Sequence, residues 1–255
     1  MLPTVRARPP NSGPIVMTSR PHRAVQWLLL PAVLLLSGCA SAPSGPPHDP
    51  FESTNRAVYQ FNDDLDRAVL KPAAQTWREV VPEPARDGVA NFFHNLSDLW
   101  SALNHVLQGR VVQGATNLAR FGVNSVLGLF GVFDVATPMG FARADTDLGE
   151  TLTTWGVASG PYVVLPFMGP STVRGTTGQL LQWQTYHPLQ NVADTPYYSL
   201  HTMRLIDARA RWLEASDLAA SMALDPYSLV RDSYWQRMQA REAQLRALAP
   251  PPPAR

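Results

Sequence analysis

The best candidates for chemistry in this sequence are three carboxylates that lie close together, Asp145, Asp147 and Glu150. Together they could supply oxygen ligands to a hard cation such as Ca²⁺ or Mg²⁺. The segment lacks the glycine and the further oxygen ligands of a calcium-binding loop, so we interpret it as a solvated turn with Glu150 near a helix start. We therefore expect neither a metal ion nor a cofactor.

The serines and histidines do not fall in the patterns typical of catalytic sites. Ser125 and Ser171 lack the flanking glycines of a Gly-x-Ser-x-Gly nucleophile elbow, and no phosphate-binding or dinucleotide-binding glycine loop is present. Four histidines lack the spacing of metal ligands: His94, His105, His187 and His201. We therefore expect no catalytic residues and a protein that is not an enzyme.

The composition excludes several other classes of protein. The chain has 255 residues, 45% of them hydrophobic, a net charge of +1 and a single cysteine. This hydrophobic content excludes a wholly disordered chain, and the near-neutral charge argues against nucleic-acid binding. One cysteine excludes an intrachain disulfide, and the 24 prolines predict helices that start and stop repeatedly.

The amino-terminal segment places Cys39 at a site of covalent modification. After Met17, a possible true start, Arg20 and Arg23 precede an apolar run from Ala24 to Leu36 that is too short to span a membrane. The run ends in Leu36-Ser37-Gly38-Cys39, which resembles the bacterial lipobox, where a peptidase cuts before the cysteine. The resemblance implies that Cys39 carries a diacylglycerol thioether and an N-acyl chain; the alternative is a signal peptide with an incidental cysteine.

Cleavage before Cys39 would change the charge of the protein. The leader, residues 1–38, contains four arginines and no acidic residue, so the net charge falls from +1 to −3. Each buried CH₂ group of an acyl chain contributes about 0.8 kcal/mol, so three chains anchor the protein permanently. Ala40, directly after the modified cysteine, favours transfer of the lipoprotein to the outer membrane. We predict a lipidated flexible tether over 39–48, a helical domain over 49–248 and a proline-rich disordered tail over 249–255.

The pattern of apolar residues predicts a mainly α fold with little or no β structure. Asp49 and Pro50 predict a helix start in which Asp49 is the cap, and Pro72 either ends or kinks that helix. Pro82 and Pro84 bracket the next break. Two further amphipathic helices are predicted from Val89, Phe92, Phe93 and Leu96, and from Leu99, Leu103, Val106 and Leu107, with Gly109 as the cap of the second. Asp225-Pro226 starts the last helix, and Met203, Ile206, Ala210 and Leu213 belong to the one before it.

The segment from Phe121 to Val135 is almost entirely apolar. It is too short and too rich in glycine to span a bilayer as one helix. Gly128 and Gly131 offer a bend, so the segment is either a buried core helix or a membrane-inserted hairpin.

Residues 155–170 are rich in glycine and proline, and their structure is ambiguous. Val163–Leu165 form either a short strand or an ordered loop. The apolar run Tyr162–Met168 either contacts lipid or fills the core. Arg174 either caps a helix or meets a phosphate.

Ordered matches along most of the chain resemble the MlaA (also called VacJ) family of outer-membrane lipoproteins. The matching runs include Asp49-Pro-Phe-Glu, Asn55-Arg56, Val81-Pro-Glu-Pro-Ala-Arg86, Asn91-Phe92-Phe93, Leu107-Gln-Gly109, Asn124-Ser125, Phe133-Asp134-Val135-Ala136, Trp155-Gly156-Val157, Leu165-Pro166-Phe167, Gly169-Pro170-Ser171-Thr172 and Asp225-Pro226-Tyr227. The likeness covers about residues 49–240. It departs at Gln179–Leu189, where the family usually carries aspartate, and in the tail.

The resemblance implies a ring of amphipathic helices that lies in the outer membrane around a central channel. Such a protein removes mislocalised phospholipids from the outer leaflet and passes them to a periplasmic carrier, held in the membrane by trimeric porins. We expect residues of the apolar segment to line the channel or act as its hinge: Phe121, Asn124, Leu127, Gly128, Phe130, Gly131 and Phe133. The glycines could equally serve only close packing.

Two other functions stay open. The protein could be a structural lipoprotein that binds porin or envelope partners and carries no lipid. A weaker alternative is a lipid-modifying hydrolase.

Overall fold

The computed structural model describes residues 49–186 and 194–248, which form helices, one β-hairpin and a 21-residue connecting segment over 127–147. The predicted mainly α fold is confirmed. The signal peptide, Cys39, the tether over 39–48, His187 and the tail over 249–255 lie outside the described residues, so those assignments stay predictions.

The first helices run almost without interruption through Pro72. Helix α1 (Glu52–Leu65) continues through a π-helical turn (Asp66–Leu70) into α2 (Lys71–Val80). Pro72 stands in the first turn of α2 and therefore does not end the helix. The wider π turn accommodates a residue that cannot donate an interior helix hydrogen bond.

The predicted cap at Asp49 is wrong. Helix α1 begins at Glu52 and its first turn has no side-chain cap. The Asp49 carboxylate is fully buried instead, where it accepts hydrogen bonds from Asn55 Nδ2, at 2.7 Å, and from the Tyr227 hydroxyl. Because Tyr227 lies 178 residues away, local sequence could not reveal this use of the carboxylate.

One long helix replaces the two helices predicted between Val89 and Leu107. Helix α3 (Glu83–Leu107) has 25 residues. The two predicted stretches are continuous, and the Ser97 hydroxyl between them bonds to the Phe93 carbonyl oxygen within the helix, at 3.0 Å. Gly109, with φ of 76°, ends the helix as predicted and leads into α4 (Val111–Val126).

The carboxylate-rich turn starts a short helix, as predicted. Asp147 caps α5 (Leu148–Thr154), its Oδ1 accepting from the Glu150 backbone N–H at 2.8 Å. Among the described residues, no group of histidine, cysteine, aspartate and glutamate side chains is arranged to hold a metal ion.

The glycine- and proline-rich stretch contains an antiparallel hairpin. Strand β1 (Tyr162–Leu165) pairs with β2 (Gly169–Thr172), so that Tyr162 faces Thr172 and Leu165 faces Gly169. The strand alternative is therefore correct. The core alternative holds for Tyr162 and Val164, which are buried, whereas Phe167 is exposed and its contact with lipid stays a prediction.

Four helices complete the described chain: α6 (Val173–Thr185), α7 (Asp194–Arg211), α8 (Leu213–Met222) and α9 (Pro226–Ala247). The predicted start of the last helix is confirmed, since Asp225 caps α9. Leu213 belongs to α8 and not to the helix before it.

The buried apolar clusters of the described residues are small. One contains Ala74, Ala210 and Leu213, and the other contains Tyr162, Val164 and Tyr227. None of the described helices is both long and apolar enough to cross a membrane. Much of the interior is instead polar, and the largest group of buried polar residues lies on α3 and α4.

Candidate functional site

The α3–α4 hairpin has its polar residues inside and its aliphatic residues outside. The exposed aliphatic residues of the two helices are Leu99, Leu103, Val106, Leu107, Val111, Val112, Leu118 and Val126. Helices of water-soluble proteins bury such a stripe against a core. The exposed stripe is a contiguous apolar feature of the kind that marks a protein or membrane interaction site.

The inward face of α3 is a stripe of polar side chains spaced three or four residues apart, which places them on one side of the helix. Its members are Asn95, Asp98, Ser101, Asn104, His105 and Gln108. Ser101 Oγ donates to the Thr146 carbonyl oxygen at 3.1 Å, and Gln108 Nε2 donates to Thr146 Oγ1 at 2.8 Å. The stripe therefore serves as an internal hydrogen-bonding surface for the chain that follows α4.

The inward face of α4 matches that of α3. Gly114, Asn117, Arg120 and Asn124 are all buried and fall at helical spacing. A Cβ atom on Gly114 would come within 3.0 Å of the Ala102 carbonyl oxygen, so the glycine allows the two helices to approach closely. We call these buried polar residues of α3 and α4 the polar seam.

Arg120 is the centre of the polar seam. Its side chain is 1% exposed and bonds to Asp98 Oδ2 at 3.3 Å and to both Asp134 oxygens at 3.2 Å. It also donates to Thr137 Oγ1 at 3.0 Å and to the Phe141 carbonyl oxygen at 2.5 Å. One guanidinium thus joins α3, α4 and the segment after α4.

The two aspartates bonded to Arg120 respond differently to their surroundings. Burial raises the pKa of Asp98, although Arg143 and Arg120 oppose the change. Burial also tends to raise the pKa of Asp134, but hydrogen bonds from Thr137, Asn124 and Arg120 outweigh it and lower the pKa to about 2. Asp134 is therefore ionised at neutral pH and available to hold the guanidinium.

The loop over residues 127–133, here called the apolar loop, displays large side chains to solvent. Phe130 is 79% exposed, and Leu127, Leu129 and Phe133 are also exposed. Its backbone is nevertheless well bonded, since Phe133 N donates to the Gly128 carbonyl oxygen at 2.9 Å. The hydrogen-bonded backbone thus holds large apolar side chains in exposed positions. A loop that only contacted water would carry polar side chains there.

Asn124 and the two glycines hold the apolar loop against the helices. Asn124 Oδ1 accepts from the backbone N–H groups of Val135 and Ala136, both at 2.9 Å. A Cβ atom on Gly128 would lie 2.1 Å from the Phe133 carbonyl oxygen. Gly131 has φ of 89°, and a Cβ atom there would lie 2.5 Å from that of Asn95. Close approach thus requires both glycines, as one sequence interpretation held.

The predicted channel and hinge residues occupy three environments. Asn124, Gly128 and Gly131 are buried, Phe121 is half-buried, and Leu127, Phe130 and Phe133 are exposed. The structure contradicts the core-helix interpretation, because α4 ends at Val126 and most apolar side chains beyond it face outward. Their contact with lipid and their motion stay predictions.

Sequence analysis missed the polar seam. Arg120, Asp98 and Asn117 were not singled out, although polar residues recur at helical spacing on both helices. The aliphatic stripe was noticed and interpreted as an ordinary amphipathic pattern. The recurring polar stripe, which includes the ionisable residues Asp98, His105 and Arg120, is the signal available in the sequence.

Arg174 and Ser171 have structural partners. Arg174 does not cap a helix; its guanidinium bonds to Glu242 Oε1 at 2.5 Å and to the Val157 carbonyl oxygen at 2.8 Å. Ser171 Oγ donates a hydrogen bond to the Thr172 carbonyl oxygen and accepts one from Thr176 Oγ1. Within the described residues, no histidine is hydrogen-bonded to this serine as a general base.

Comparison with known proteins gives consistent results. A family model described as MlaA lipoprotein matches residues 47–241. The intermembrane phospholipid transport system lipoprotein MlaA of Escherichia coli (strain K12) is 37% identical over 210 residues, covering 80% of this chain and 82% of that protein. The protein of the same name in Haemophilus influenzae is 33% identical over 216 residues, covering 82% and 86%.

A solved structure is similar over most of its own length. It comes from work on the structural basis for maintenance of bacterial outer membrane lipid asymmetry. The similarity has a TM-score of 0.67 at 35% sequence identity and covers 76% of this chain and 98% of that chain.

Proposed function

The chain belongs to the MlaA family of lipoproteins, and on this premise we propose that it takes part in phospholipid transport that maintains the lipid asymmetry of the outer membrane. It removes mislocalised phospholipids from the outer leaflet and passes them toward the periplasm. Within the chain itself, this function is supported by the α3–α4 hairpin, whose polar residues lie inside and whose aliphatic residues lie outside.

The aliphatic face of the hairpin suits contact with hydrocarbon. A Leu or Val side chain is stabilised by about 1.5–3 kcal/mol when it is moved from water into apolar surroundings. Val112 is 75% exposed and Leu118 is 54% exposed, so these side chains lack that stabilisation in water. Acyl chains of lipid would provide it, while the polar seam keeps the two helices paired in an apolar environment.

The apolar loop extends this face toward a lipid path. We propose that Leu127, Phe130 and Phe133 contact acyl chains at the channel, with Phe121 beside them. Gly128 and Gly131 set the shape of the loop, and they act as its hinge if the loop moves. Asn124 fixes the chain directly after the loop to α4.

The anchor and the protein partners belong to the same proposal. Cys39 carries the acyl chains that hold the protein at the periplasmic face of the outer membrane. A trimeric porin holds the helical domain in the membrane, and a periplasmic carrier of the Mla pathway receives the phospholipid. Transfer moves the intact lipid and breaks no covalent bond.

The experiment that tests the proposal uses a Cys39→Ala variant exported by a signal without a lipobox. If the helical domain binds lipid, this variant still fractionates with membranes and retains phospholipid after purification. A soluble and lipid-free variant would instead favour a structural lipoprotein that carries no lipid.

A second measurement separates transport from hydrolysis. Purified protein is incubated with donor liposomes and the periplasmic carrier, and the products are resolved by mass spectrometry. We expect intact phospholipid on the carrier. Lysophospholipid that disappears in a Ser171→Ala variant would establish the hydrolase.

A further inference from the structure

A cleft of about 460 Å³ lies on the side of the chain formed by α5, β2, α6 and α9. Its volume is within the range of about 300–1,000 Å³ that small-molecule sites occupy. Polar groups and methionines both line it, including Thr172, Tyr234, Met168 and Met238. Such a lining accommodates a ligand that has a charged part and a short apolar part.

Most of the charged groups in the cleft already have partners. Arg241 forms a two-pronged ion pair with Glu150, at 2.6 and 2.9 Å. Arg174 pairs with Glu242 at 2.5 Å. In each of these two ion pairs the charges cancel. The pairs therefore form the walls of the cleft, and the net charge of the cleft depends on its other groups.

One cation and one anion in the cleft remain outside these pairs. The Arg237 guanidinium is exposed, and its Nε makes only a long bond to the Ser233 carbonyl oxygen, at 3.4 Å. Asp147 is exposed, and one of its oxygens accepts from the Glu150 N–H at 2.8 Å. Among the described residues, neither side chain forms an ion pair.

We propose that this cleft binds the zwitterionic headgroup of a phospholipid, a phosphodiester that carries an ammonium group. The inference rests on the proposed function and names the class of lipid. Arg237 pairs with the phosphodiester, for which a guanidinium fork is well suited, and Asp147 pairs with the ammonium. The methionines adapt to the glycerol and the first methylene groups beside it.

Hydrogen bonds connect this cleft to the α3–α4 hairpin. Glu150, which pairs with Arg241 in the wall, accepts from Thr146 Oγ1 at 2.8 Å. Thr146 Oγ1 in turn accepts from Gln108 Nε2 of the polar seam at 2.8 Å. The headgroup site and the apolar face therefore belong to one bonded framework, as a lipid with one polar and one apolar end requires.

The test measures binding of two short-chain lipids to the full-length mature protein by titration calorimetry in detergent. Dihexanoyl phosphatidylethanolamine carries both charges, whereas dihexanoyl phosphatidylglycerol lacks the ammonium. Arg237→Gln is expected to weaken both lipids about tenfold, the effect of losing one charge-assisted hydrogen bond. Asp147→Asn is expected to weaken only the phosphatidylethanolamine, also about tenfold.

The two variants and their control separate charge from folding. Asn caps a helix as well as Asp, so Asp147→Asn keeps the start of α5. Arg67→Gln removes an exposed arginine from the π-helical turn, outside the cleft, and leaves both affinities unchanged. Thermal unfolding of all three variants should match the unmodified chain.

Several outcomes would overturn the headgroup site. Equal loss of both lipids in Asp147→Asn contradicts the ammonium contact, and unchanged binding in Arg237→Gln contradicts the phosphodiester contact. Inorganic phosphate that competes as well as glycerophosphoethanolamine would make the cleft a phosphate site. An unmodified chain that binds neither lipid refutes the proposed function itself, which distinguishes that failure from failure of this site.

Discussion

Replacing Arg120 with methionine tests whether the polar seam holds the hairpin and the apolar loop together. Methionine keeps much of the length of the side chain and removes the guanidinium. Asp98, whose side chain is 1% exposed, then loses its hydrogen-bonded ion-pair partner and keeps only the longer pair with Arg143, at 3.9 Å. Breaking a buried ion pair by removing one partner costs about 3–5 kcal/mol. For a domain of this size the melting temperature falls by about 6–20 °C.

The loss in Arg120→Met depends on pH in a direction that the structure fixes. Burial already raises the pKa of Asp98, and removing the guanidinium raises it further. Asp98 in the variant therefore takes up a proton at a higher pH than an ordinary aspartate, and the stability gap to the unmodified chain narrows as the pH is lowered. The depressed pKa of Asp134, about 2, contributes stability that is present above the unfolded value near 4 and lost as the pH falls through about 2.

The measurement is thermal and denaturant unfolding of the full chain in detergent, with two companion variants. Arg67→Met removes an exposed pair with Asp63, and such pairs contribute at most about 1 kcal/mol. The double variant Asp98→Asn/Arg120→Met also removes the buried negative charge of Asp98, so it should regain part of the stability that Arg120→Met loses. Our reasoning is refuted if Arg120→Met melts within 1 °C of the Arg67 control, or if the double variant is less stable than Arg120→Met.

Three further substitutions test other parts of the structure. Gly128→Ala places a Cβ atom 2.1 Å from the Phe133 carbonyl oxygen, so the apolar loop must shift. We therefore expect altered outer-leaflet phospholipid levels in cells. A normal level would contradict the proposed role of the loop. Val112→Lys should change stability in detergent by less than about 0.5 kcal/mol but reduce membrane recovery relative to Val112→Ala, and equal recovery would remove this face from lipid contact. Asp49→Asn weakens the buried bond to Tyr227 and should cost about 1–3 kcal/mol by denaturant unfolding, whereas an unchanged midpoint would show that the carboxylate charge is not needed.

Local patterns correctly identified several elements. The Asp225-Pro226 start, the Gly109 end and the helix start around Asp147 depend on neighbouring residues only, and all three are confirmed. The family likewise followed from short runs of residues. Asp49 was misassigned because its decisive partner, Tyr227, lies on a helix far along the chain.

The candidate site was only half visible in the sequence. The apolar segment and its glycines were selected from composition, and the structure places Phe130 and Phe133 on an exposed loop. Arg120 and Asp98 were not selected, because a charged residue on an amphipathic helix is usually solvated. Their burial depends on the pairing of α3 with α4 and on Asp134 from a later segment.

The sequence by itself predicted a leader that ends before the single cysteine, and it determined the helical character of the chain and several helix ends, because these depend on residue type and on neighbours. Only the tertiary structure decided which side of each helix is inside. A stripe of Leu and Val at helical spacing has the same periodicity whether it faces a core or a lipid phase. In this protein Asp98, Arg120 and their partners take the interior of the α3–α4 hairpin, and the stripe of Leu and Val is left exposed on its outer side.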